Sequence, residues 1–110
     1  MNNYTNKEIK ELYKAILSLS TITEAEQFFR DLMTIQEINA VSERWQIVQL
    51  LGQGLSYREI AKKLNTSTTT VGRVATWLKD GMGGYKLVLN KLVKKHHNTS
   101  SDRKGVLFFI

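Results

Sequence analysis

Residues 55–78, LSYREIAKKLNTSTTTVGRVATWL, hold the side chains whose types and spacing could do chemistry. The chemistry they suit is recognition. Arg58, Lys62 and Arg73 can pair with phosphate oxygens, and the hydroxyls of Ser67, Thr68 and Thr69 can hydrogen-bond phosphates or base edges. The run Ser67-Thr68-Thr69-Thr70 resembles a nucleophile or phosphorylation cluster, but no base is arranged near it in sequence. His96 and His97 are adjacent, so on a helix their side chains diverge and cannot form an i, i+4 metal pair. With no acid–base pair, phosphate loop or metal-ligand spacing, the chain is expected not to be an enzyme, and no cofactor is expected.

Recognition requires elements that hold these groups on one face. Ser56 with Glu59 forms a capping box, and Ile60, Ala61 and Leu64 give the helix behind it an apolar stripe. Asn65 can adopt the left-handed conformation that ends a helix. Ser67 or Thr66 can cap the next helix, whose buried stripe is Val71, Val74 and Leu78. A small Ala61, then Asn65, then Val71 is the spacing that two helices packed across a tight turn demand, a helix-turn-helix over about 56–79. The outward face of its second helix begins Ser67, Thr68, Thr69, then Gly72 and Arg73. The other reading of this segment is an ordinary helical hairpin with a polar outer face.

The bulk properties agree. A chain of 110 residues is one domain in ordinary practice, small enough that a shared dimer core would add stability. It has no proline, which favours helices, and no cysteine, which excludes disulfides and thiolate metal sites and suits a cytoplasmic protein. Neither a signal peptide nor a membrane-spanning run is expected. The net charge of +6 is unevenly placed. Up to Gly54 there are five Lys and Arg against seven Asp and Glu, or −2; from Leu55 onward eleven against three, or +8. The half with the helix-turn-helix thus carries the positive field that phosphate binding requires.

Elsewhere the spacing predicts an amphipathic helix over roughly Asn6 to Leu19, with Ile9, Leu12, Tyr13, Ile16, Leu17 and Leu19 on one face. A capping box of Thr23 and Glu26 should open a second helix carrying Phe28, Phe29, Leu32 and Met33. A third box, Thr34 and Glu37, should start a longer helix through Ile38, Val41, Trp45, Val48 and Leu51, ending at Gly52-Gln53-Gly54. After the break at 80–84, a last helix carries Tyr85, Val88, Leu89, Leu92 and Val93. The expected fold is all-α, about six helices, with residues 1–97 a single domain and 98–110 a polar linker and apolar tail (Val106 to Ile110). The apolar stripes exceed what one small monomer can cover, so a homodimer is expected, although a monomer whose helices satisfy each other is the alternative. A two-fold dimer would set two reading helices ~34 Å apart, in successive major grooves.

Across roughly Leu32 to Leu92 the chain resembles the Trp-repressor superfamily, in its Trp-repressor-like YerC/YecD branch. The resemblance rests on LMTIQEINAVSERWQIVQLLGQGLSYREIAKKLNTSTTTVGRVATWL, in register without gaps. The order matches too: a long helix with Arg44, Ile47 and Val48, a glycine turn, the SxRE helix, then the recognition helix. It implies an all-helical, intertwined homodimer that binds double-stranded DNA as a transcription regulator, a repressor. Of the DNA contacts, the resemblance implies Arg58, Thr68, Thr69 and Gly72; with Ser56, Tyr57, Lys62, Ser67 and Arg73 of the same two helices and their turn, these make the expected DNA-facing set. Tyr57 stands where the Trp repressor has Gln and Ala61 where it has Lys, so base preferences are expected to differ.

The same resemblance implies an inherited corepressor pocket. The two arginines that sandwich the indole of tryptophan correspond to Arg44 and Arg73, and the pocket threonines to Thr34 and Thr70. Val74 replaces a glycine that leaves room for the ligand, and Trp77 replaces a small serine. Both add bulk, which implies that free tryptophan is not the ligand and that Trp77 fills part of the cavity. Two versions stay open: a pocket filled from within, or a different small-molecule ligand between Arg44 and Arg73. Those arginines could also be structural ion-pair or phosphate residues. The rival functional class is an adaptor whose helix-turn-helix binds protein or RNA.

Overall fold

Each of the first five helices starts where a short polar side chain accepts a backbone N–H from the first turn. The computed structural model describes residues 6–96; His97 and the 98–110 segment, including the expected tail, lie outside the described residues. Six helices follow one another: α1 (Lys7–Leu17), α2 (Ile22–Leu32), α3 (Ile35–Gly52), α4 (Tyr57–Leu64), α5 (Thr68–Asp80) and α6 (Gly84–His96). No strand occurs among the described residues. The all-α, six-helix expectation holds.

The caps set the boundaries. Asn6 Oδ1 accepts from Ile9 N at 3.1 Å and opens α1. Thr34 and Glu37 exchange the two bonds expected of a capping box, at 2.8 and 3.1 Å. The box expected at Thr23 and Glu26 lies elsewhere. Thr21 Oγ1 accepts from Glu24 N at 3.1 Å, and the Glu24 carboxylate reaches back to Ser20 N at 2.8 Å. Thr21 and Glu24 have the same Thr-x-x-Glu spacing as Thr23 and Glu26. The earlier frame prevails because it keeps two more residues helical, each adding a backbone hydrogen bond.

Contacts divide the chain into two units, one up to Asn39 and the other from Ala40. The first holds α1, α2 and the opening turn of α3. Phe28 and Phe29 meet edge-to-face there, with ring centroids 5.5 Å apart. Neither α1 nor α2 buries a single residue.

The second unit has its own core. Ile47, Val48 and Leu50 of α3, Ile60 and Ala61 of α4, Val71, Val74 and Leu78 of α5, and Leu89 of α6 are all buried. Trp45, Leu51, Leu55, Leu64 and Tyr85 close its edges. Trp45 and Tyr85 join α3 to α6 with ring centroids 6.4 Å apart. Every stripe residue expected of α5 is buried, and of the α4 stripe Ile60 and Ala61 are buried with Leu64 at the edge. This packing fixes α4 and α5 relative to each other and turns their polar faces outward.

Candidate nucleic-acid interface

The candidate interface comprises α4, the turn at residues 65–67, and α5. Ser56 and Glu59 form the expected capping box: the Ser56 N–H donates to Glu59 Oε1 at 2.7 Å, and the Glu59 N–H to Ser56 Oγ at 3.1 Å. The Ser56 backbone N–H and, after it, the Ser56 hydroxyl favour the charged carboxylate and hold the Glu59 carboxyl below the usual glutamate range. At the other end of α4, Asn65 takes φ 56° and ψ 50°, the left-handed conformation its type suggested. Thr66 N then reaches Ala61 O at 2.9 Å and Asn65 N reaches Lys62 O at 3.4 Å, the paired bonds of a Schellman motif. The reversed turn brings Ala61 against α5, where its single methyl permits a close approach.

Of the two candidate caps for α5, Ser67 is the one used. Its Oγ accepts from Thr70 N at 3.0 Å and donates to Thr70 Oγ1 at 3.0 Å. Ser56 and Ser67, both in the expected DNA-facing set, therefore have hydroxyls engaged in capping. Arg58, Lys62, Thr68, Thr69 and Arg73 are exposed. Gly72 is half-buried because another side chain lies against it. A Cβ built on Gly72 would stand 3.7 Å from Tyr57 Cε2, so the tyrosine ring crosses from the start of α4 onto α5. Thr76, which sequence reasoning left out, is exposed one turn further along and donates its hydroxyl to Gly72 O at 3.0 Å.

The residues expected to line a ligand pocket are placed less uniformly. Thr34 is exposed in the first unit and caps α3 with its hydroxyl. In the second unit Arg44 and Arg73 are exposed, Thr70 is half-buried and Val74 is buried. Among the described residues neither guanidinium has an ion-pair partner. Trp77 is exposed in the single chain. It is 67% exposed, so within one chain it fills no cavity. The reason is positional: Val71, Val74 and Leu78 take the inward face of α5, and Trp77 falls off that face. Its ring extends toward the end of the helix, where a Cβ on Gly81 would lie 3.3 Å from Trp77 Cε3 and 2.5 Å from Trp77 O. Only glycine fits there, which makes Gly81 the stop of α5.

Among the described residues no group of three or more His, Cys, Asp or Glu could hold a metal ion, and no helix is long and apolar enough to cross a membrane. An all-helical fold, a capped helix-turn-helix and an exposed face of threonines and cations define the class: a helix-turn-helix protein. The family model described as Trp repressor protein matches residues 7–93. The chain belongs to the Trp-repressor family, in its YerC-like branch. It is 34% identical over 95 residues to the uncharacterized protein YerC of Bacillus subtilis (strain 168), covering 86% of this chain and 91% of that protein. It is 36% identical over 74 residues to a Trp operon repressor homolog of Haemophilus influenzae, covering 63% of this chain and 73% of that one. The fold matches the crystal structure of a TrpR like protein from Eubacterium eligens, with a TM-score of 0.79 and 37% identity over 84% of this chain and 95% of that one.

Proposed function

We propose that this protein is a sequence-specific transcription regulator, acting as a repressor, that binds double-stranded DNA in the cytoplasm as a homodimer. The observation that carries the proposal is the α4–α5 unit. Its inner face is sealed by apolar residues, and its outer face offers Arg58, Lys62, Thr68, Thr69 and Arg73 in the basic half of the chain. Kinship with Trp operon repressor homologs supports the same reading.

The unburied first unit supports the dimer. Leu17 is 82% and Ile22 80% exposed, on helices that bury nothing in a single chain. Exposed apolar area of this kind is covered by association. Once it is covered, residues 1–97 act as one domain. Labelled genomic fragments challenged with rising salt test the function. A regulator retains a small set above the nonspecific background, because base contacts outlast the loss of phosphate affinity. Retention of none transfers the helix-turn-helix to an adaptor role toward protein or RNA.

DNA binding is independent of tryptophan. Val74, buried at 6% exposure, occupies the position where the family leaves room with glycine. A thermal-shift measurement with tryptophan should show no change, since a ligand held only by the folded state raises its melting temperature. The exposed, unpaired guanidiniums of Arg44 and Arg73 favour a second version, in which another small molecule binds between them; a screen of amino acids and related metabolites by the same shift tests it.

A further inference from the structure

We propose that Tyr57 determines base specificity by replacing the side chain that Gly72 lacks on the reading face of α5, and that it selects a thymine through its 5-methyl group. The proposal rests on the DNA-binding function above.

Thr68, Gly72 and Thr76 follow one another at four-residue spacing and form one row along α5. The outer members are exposed threonines. The middle member has no side chain, yet its surface is not bare. The Tyr57 ring from the first position of α4 lies against it, at the 3.7 Å measured from a Cβ built there. The distance is ordinary van der Waals contact, so an alanine at 72 would still support the ring. A longer side chain would extend beyond its Cβ toward the space the ring holds.

The ring is held without being hidden. Tyr57 is 47% exposed. One part rests on α5 at Gly72, between Thr68 and Thr76 in the row, and the rest is open to solvent. A tyrosine has two side-chain torsions, so a ring already supported on a helix loses little further freedom on contact. Thr76 turns its hydroxyl back to Gly72 O, which turns this end of the row toward apolar contact. An apolar ring edge entering the major groove distinguishes bases chiefly by the thymine methyl, the one apolar group displayed there. The phenolic hydroxyl can donate or accept, so by itself it does not choose between bases.

The test is selection of binding sites from random duplex DNA by the full-length protein and by its Tyr57→Ala and Tyr57→Phe variants. The wild type should enrich a two-fold-related motif. Tyr57→Ala should enrich the same motif with the thymine preference lost at one position in each half-site, and Tyr57→Phe should keep it. Uracil placed for each thymine in turn should weaken wild-type binding about fourfold at that position, the worth of one methyl group removed from water. This arm uses the unmutated protein and does not depend on a variant folding. Identical motifs for wild type and Tyr57→Ala, or no effect of uracil at any thymine, would overturn the assignment of Tyr57 and leave DNA binding intact. No enriched motif for the wild type would overturn sequence-specific reading itself, and the role of Tyr57 with it.

Discussion

Asn65 is the hinge of the helix-turn-helix, at φ 56° and ψ 50°. Asparagine tolerates this region because its short polar side chain bonds locally, whereas a plain Cβ does not. Asn65→Ala should therefore lower stability by about 1 kcal/mol, and Asn65→Gly should not, as denaturant midpoints will show. Glu59 makes a second residue-scale prediction. Hydrogen bonds from the Ser56 backbone and hydroxyl favour its ionised form, so its folded pKa lies below the unfolded value. Its contribution to stability is complete above the unfolded glutamate value and is lost as pH falls through the folded one. In an NMR titration Glu59 should lose its charge at lower pH than the ordinary glutamate value. In Glu59→Gln the loss of stability between those two pKa values should be shallower.

At the scale of the element, a glycine inside α5 and the glycine that caps it carry opposite expectations. Gly72 is mid-helix, where glycine costs about 0.5–1 kcal/mol relative to alanine, and a Cβ there meets only ordinary contact with Tyr57. Gly72→Ala should raise the melting temperature. At Gly81 a Cβ would fall 2.5 Å from Trp77 O, so Gly81→Ala must open the end of the helix and should cost about 1–3 kcal/mol. Paired thermal melts decide both. The contrast marks what a sequence makes legible. The helix-turn-helix was readable because its causes are local: Ser56 three residues before Glu59, Asn65 at a helix end, an apolar stripe every third or fourth residue. Where two local solutions were equivalent, as for Thr21 with Glu24 against Thr23 with Glu26, the choice fell to the one that lengthened α2. Trp77 and the Tyr57–Gly72 contact were not readable. The face a tryptophan takes and the ring that covers a glycine both depend on how two helices pack, which spacing within either one does not encode.

At the scale of the whole molecule, the buried core of the described residues lies from Ala40 onward, while α1 and α2 bury no residue. If a second copy covers those helices, their apolar residues have two roles, joining the protomers and fixing the distance between reading helices. A charge at one of the most exposed of them should abolish both. Ile22→Glu leaves the α4–α5–α6 core untouched and puts a carboxylate where the partner's apolar surface would desolvate it, a cost of several kcal/mol. By sedimentation it should shift the protein toward monomer, and specific DNA affinity should fall because each half-site is then bound alone. Arg58→Ala should do the reverse, preserving the dimer and weakening DNA binding with a shallower salt dependence, as expected when one phosphate contact is removed. The two variants together separate assembly from recognition. A monomeric Ile22→Glu protein that binds its sites as tightly as the wild type would show that one reading head suffices, and the unburied faces of α1 and α2 would then have to serve some other association.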